Sequence, residues 1–84
     1  MVNKTFDLEH QYQLYLKRVG LKEENMHPVQ KTETIRAFMG ACGQMLILLR
    51  DDLGVLEESK AIEIMQDMIN QVQVYFMKET NKFN

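Results

Sequence analysis

An all-α fold follows from three features of the 84-residue sequence. Apolar residues recur at spacings of three and four in three blocks. No block shows the sustained apolar–polar alternation of a half-buried strand. The breakers Gly20, Pro28 and Gly54 stand at the block edges, where a helical reading needs them. The predicted architecture is a compact three-helix domain over residues 1–84, with helices at about 6–19, 28–53 and 57–79, assembled into a helical oligomer.

The first block, Phe6 to Val19, sets Leu8, Tyr12, Tyr15, Leu16 and Val19 on one face and turns Glu9, Gln13 and Lys17 away. Thr5 or Asp7 is placed to cap its start, and Gly20 followed by Leu21 has the pattern of a left-handed C-terminal cap. The polar stretch Lys22-Glu23-Glu24-Asn25 reads as a loop.

Pro28 opens the second helix, because its missing N–H would have no partner in a first turn. Ile35, Phe38, Cys42, Met45, Leu49 and Leu53 form a core-facing seam that ends at Gly54. From Met45 to Leu49 the helix is apolar on nearly every side, so it is expected to be surrounded, within the chain or by another subunit. The third block begins at Glu57 or Glu58, whose charges suit a helix N-terminus. Ile62, Met65, Ile69, Val72 and Phe76 make one seam, and Ala61, Ile64, Met68 and Tyr75 lie beside it. The tail Asn81-Lys82-Phe83-Asn84 is expected to fray.

Composition narrows the function classes. The chain is 45% hydrophobic and 26% charged with a net charge of −2, which is the balance of an ordinary globular domain. A single core of this size supplies only ~3–5 kcal/mol, and self-association is a natural supplement. The lone cysteine, Cys42, forms no internal disulfide, which suits a reducing compartment. Met1-Val2-Asn3-Lys4-Thr5 lacks the apolar stretch of a secretory signal, and Met45 to Leu49 is too short to span a membrane. A cytoplasmic protein without a membrane partner is expected.

Catalytic chemistry finds no support. Cys42 falls on the apolar seam, and neither His10 nor His27 stands at a spacing that pairs with it. Glu63 and Asp67 share a helical face, but no Glu-x-x-His or Cys-x-x-Cys pair accompanies them, so no metal is expected. Phosphate-binding glycine loops, Ser-His-Asp sets and dinucleotide fingerprints are absent, so the reading is a non-enzymatic protein without a cofactor.

Two features point to binding instead. Lys17, Arg18, Lys22, Lys31 and Arg36 outnumber the acids between residues 17 and 36, whereas the segment from Arg50 to Asp67 is acidic. The basic residues are candidate phosphate contacts for a small anion, with Tyr12 or Tyr15 as a base-stacking partner. One weakly basic segment on an acidic chain gives too little counterion release for duplex nucleic acid. The second feature is Gly40-Ala41-Cys42-Gly43, where each helical glycine costs ~1 kcal/mol relative to alanine. Close approach of a neighbouring helix, a ligand or a second copy is expected there, and Gly40→Leu is expected to overpack it. Met39 and Ile47 join Gly40 and Gly43 as interface candidates, and Met26 shares the adaptable character of Met39.

From Pro28 onward the order of features is a long second helix with small residues at its middle, an acidic turn, and a helix bearing Gln71-Val72-Gln73-Val74-Tyr75-Phe76-Met77. In this it resembles the small helical phage proteins that sequester cyclic-oligonucleotide signals of bacterial immunity, the anti-CBASS sponges. The resemblance implies a phage or mobile-element protein in a bacterial host cell, an oligomer that binds its ligand between subunits without cleaving it. The first helix is longer here than in that family, and no binding residue is carried over. Sequestration of a nucleotide-like anion is therefore one expected function. The other is a helical adaptor or inhibitor that engages a host protein through an apolar face.

Overall fold

A computed structural model describes residues 4–81, and among them every regular element is helical. The elements are a 3₁₀ turn at Lys4–Phe6, α1 at Leu8–Val19, a 3₁₀ turn at Glu23–Asn25, α2 at Pro28–Leu48, a π turn at Leu49–Leu53 and α3 at Glu58–Asn81. The three-helix, all-α expectation holds. Residues 82–84, the rest of the tail expected to fray, lie outside the described residues, as do residues 1–3. Contacts divide the chain into two compact units, Met1–Leu46 and Ile47–Asn84.

In the first unit, α1 begins later than its apolar pattern because Phe6 belongs to the preceding 3₁₀ turn. Asp7 occupies the N-cap with extended backbone, but its side chain makes no capping bond. The entry is tied instead by Gln11, whose side-chain amide donates to the Thr5 carbonyl at 2.7 Å. At the other end Gly20 adopts φ 75° and ψ 26°, the left-handed conformation that costs a side-chain-bearing residue ~1–2 kcal/mol. The Leu21 amide then reaches back to the Leu16 carbonyl at 2.9 Å, closing the Schellman pattern. Pro28 opens α2 as expected, and His27 supports the first turn: its Nδ1 accepts from the Val29 amide at 3.1 Å.

Burial in the first unit centres on α1. Tyr12 and Leu16, one turn apart, are buried, and the Tyr12 ring lies 5.2 Å from that of Phe38 on α2. Tyr15 meets the same phenylalanine ring at 5.3 Å. Phe38 is thus the point at which α2 engages both tyrosines of α1.

In the second unit, α2 does not run as an α-helix to Leu53. It opens into the π turn after Leu48, and Gly54 ends it by donating its amide to the Leu49 carbonyl at 2.8 Å, five residues back. Arg50 and Asp51 form a two-point ion pair at the surface of this turn, with Nε to Oδ1 at 2.6 Å and Nη2 to Oδ2 at 2.9 Å. The hydrogen bonds to Arg50 hold the Asp51 carboxyl below its ordinary pKa. Leu53 is buried.

In the apolar stretch from Met45, the side chains of Met45, Leu46 and Ile47 are exposed. On α3 the seam residues Ile62, Met65, Ile69, Val72 and Phe76 are also exposed, and Met77 is 65% exposed. The narrower stripe of Ala61, Ile64 and Met68 is half-buried. Among the methionines, Met26 and Met39 are half-buried, whereas Met45, Met65 and Met77 are exposed.

Candidate functional site

The five basic candidates separate on the structure. Lys17 and Arg18 occupy the last turn of α1, where positive charge suits the carbonyl end of the helix dipole. Lys22 follows in the connection, and Lys17 and Lys22 line one groove of about 310 Å³ with Gln13, Leu16 and Leu21. The same groove carries Glu23 and Glu24, so its two lysines face two carboxylates. Gln13 fixes one of them, donating to Glu23 Oε1 at 3.0 Å and to Glu9 Oε1 at 3.1 Å. Lys31 and Arg36 stand on α2 outside this groove, and the Arg36 guanidinium pairs with Glu33 at 3.3 Å.

The aromatic candidates differ from each other. Tyr12 is 0% exposed, so the expectation that it stacks on a base is corrected: its ring is buried and lies against Phe38. Tyr15 keeps partial exposure and lines a second groove of about 490 Å³ with Leu21, Ala37, Phe38 and Ala41, rimmed by Glu33 and Thr34. Phe38 already covers part of the Tyr15 ring. This groove is apolar with an acidic rim, a poor match for a phosphate.

Burial leaves a polar atom stranded. The Tyr12 hydroxyl is buried and finds no hydrogen-bond partner among the described residues. Burial raises the pKa of this phenol, and the nearby charges of Glu23 and Glu9 raise it further. The neutral phenol is therefore favoured in the fold, and stability falls as the pH rises above 10.0, the ordinary tyrosine value at which the unfolded chain begins to ionise. Tyr12→Phe is expected to stabilise the protein by about 1 kcal/mol, because an unpaired buried hydroxyl is removed and the ring contact is kept. Urea unfolding at pH 7 and above pH 10 checks both parts: the variant gains midpoint at pH 7 and loses less of it in alkali.

The glycine patch is open. A Cβ built on Gly40 or Gly43 meets nothing within 4 Å among the described residues. Crowding of Gly40→Leu, expected from close approach at this patch, would therefore have to come from a ligand or a second copy. An added methyl group enters free space and restores helix propensity, so Gly40→Ala is expected to raise stability by about 1 kcal/mol. A fall in melting temperature would instead place another helix against this backbone. The other interface candidates divide: Met39 is half-buried, and Ile47 is exposed.

Among the described residues no group of three His, Cys, Asp or Glu side chains is placed to hold a metal ion, and Cys42 is a half-buried free thiol. Among the described residues no helix is long and apolar enough to cross a membrane. The main surface feature that spacing alone did not expose is the uncovered seam of α3, because apolar periodicity marks a face without saying what lies against it. No protein-family model matches this sequence, and neither a curated protein nor a solved structure matches it.

Proposed function

We propose that this chain works by binding, as a helical protein–protein interaction module that presents the apolar face of α3 to another polypeptide. One observation carries the reading: five consecutive seam positions of α3, from Ile62 to Phe76, hold large apolar side chains that are exposed. An exposed apolar stripe of this length is the signature of an interaction surface. A photo-crosslinking residue at Val72 is expected to form polypeptide adducts in cells expressing the chain. The same residue at Asp67, on the polar side of α3, is expected to form none. Equal yields at the two positions would overturn the reading.

The groove holding Lys17 and Lys22 supports a second reading, sequestration of a small nucleotide-like anion that counters a host defence. Glu23 and Glu24 in the same groove weaken its pull on phosphate, which is why this reading stands second. Calorimetry with cyclic di- and trinucleotides decides it. Saturable binding lost in Lys22→Glu, with helical circular dichroism kept, supports sequestration, and no binding by the wild type rejects it.

A further inference from the structure

We infer that the occupant of the α3 face is α3 of a second copy of this chain, packed antiparallel. The inference rests on the interaction-module reading and names its partner.

Spacing sets the geometry. Ile62, Met65, Ile69, Val72 and Phe76 step by three, four, three and four, which are the a and d positions of two consecutive heptads. The e positions are then Gln66 and Gln73, and the g positions are Ala61, Met68 and Tyr75. In a coiled coil, e and g usually carry the charges that choose a partner. Here they carry none, so two identical helices meet without like-charge repulsion along the seam. Gln66 is further satisfied within its own helix, donating to Asn70 at 3.1 Å.

Area is sufficient. Ile62, Met65, Ile69, Val72, Tyr75 and Phe76 are each 43% to 60% exposed. At roughly 100 Å² for each half-exposed large side chain, they and the flanking glutamines present roughly 800 Å², the share each partner gives to a standard stable interface.

Charge selects the orientation. The first ten residues of α3 hold Glu58, Glu63 and Asp67 against Lys60, while the last ten hold Lys78 and Glu79 in balance. Parallel packing would place two acidic halves together, and antiparallel packing sets each acidic half beside a neutral one. Opposed helix dipoles add to that preference. In the antiparallel arrangement a residues layer against d residues, and the register that keeps Phe76 inside the seam sets Met65 against Phe76 of the second copy and Ile69 against its Val72.

The test uses the full chain. Sedimentation at micromolar concentration is expected to give twice the 9.9 kDa chain mass. Ile69→Asp is expected to weaken association on the order of 100-fold, since both copies carry the charge, with helical circular dichroism unchanged. For orientation, Met65→Cys and Phe76→Cys chains, each also carrying Cys42→Ser, are mixed and oxidised. The two positions are on the order of 16 Å apart along one helix, and a disulfide needs Cα atoms within about 7 Å. Mixed disulfides between the two variants support antiparallel packing, and only like-with-like disulfides overturn it. A monomeric wild type overturns the second-copy inference. In that monomer, rapid alkylation of Phe76→Cys leaves the face free for another polypeptide, whereas protection overturns the interaction-module reading as well.

Discussion

Phe38→Ala is expected to destabilise the first unit by about 2–3 kcal/mol, at or below the low end of the range for truncating a fully buried phenylalanine because Phe38 is half-buried. Its ring touches both tyrosines of α1, at 5.2 Å and 5.3 Å, so one substitution removes two aromatic contacts. Tyr12 and Leu16 are the buried side chains of α1, and losing Phe38 uncovers the first of them. A single small core holds only ~3–5 kcal/mol in total, so the variant stands close to its unfolding midpoint in buffer. Urea unfolding followed by circular dichroism checks this. Phe38→Leu keeps part of the contact and is expected to lose about 1 kcal/mol.

Gly54→Ala is the second large effect, expected to cost about 1–3 kcal/mol because the turn has no room for a methyl group. A Cβ at this position would lie 3.0 Å from the Arg50 carbonyl oxygen and 3.1 Å from that of Leu49. Both neighbours are backbone, so neither yields by rotating a side chain. The backbone angles of Gly54, φ −65° and ψ −16°, are ordinary, and the requirement is closeness rather than conformation. The expected response is that the Gly54 amide gives up the Leu49 carbonyl and the π turn relaxes. Proton–deuteron exchange at the Gly54 amide, faster in Gly54→Ser than in the wild type, reports the same release.

The sequence read well wherever a local signal fixed a local outcome. Gly20 with Leu21 predicted a left-handed cap, and Pro28 predicted a helix start, because each rests on the conformational limits of one or two residues. The π turn was not legible, since Leu49 to Leu53 carry no spacing that distinguishes a five-residue closure from a four-residue one. Gly54 held the only hint, and it reads equally as an ordinary helix end. Periodicity found the seams of α2 and α3 but could not separate a face that packs from a face left open. Gly40 and Gly43 show the same limit: the cost of helical glycine is local, while its compensation lies in another element or another molecule. For the basic segment, counting charge along the chain missed that folding sets Lys17 and Lys22 beside Glu23 and Glu24.

The placement of the methionines carries a chemical liability. Met45 and Met77 are exposed and lie outside the α3 seam, whereas Met26 and Met39 are half-buried. Oxidation turns such a thioether into a sulfoxide, a polar and chiral group on a side chain that had been apolar. On α2 and α3 this adds hydrogen-bonding oxygen to the surfaces that are otherwise greasiest, without breaking any buried contact of Tyr12 or Leu16. Peroxide therefore acts on this protein first as a change of surface chemistry and not as damage to its core, and methionine sulfoxide reductases are the enzymes that reverse it.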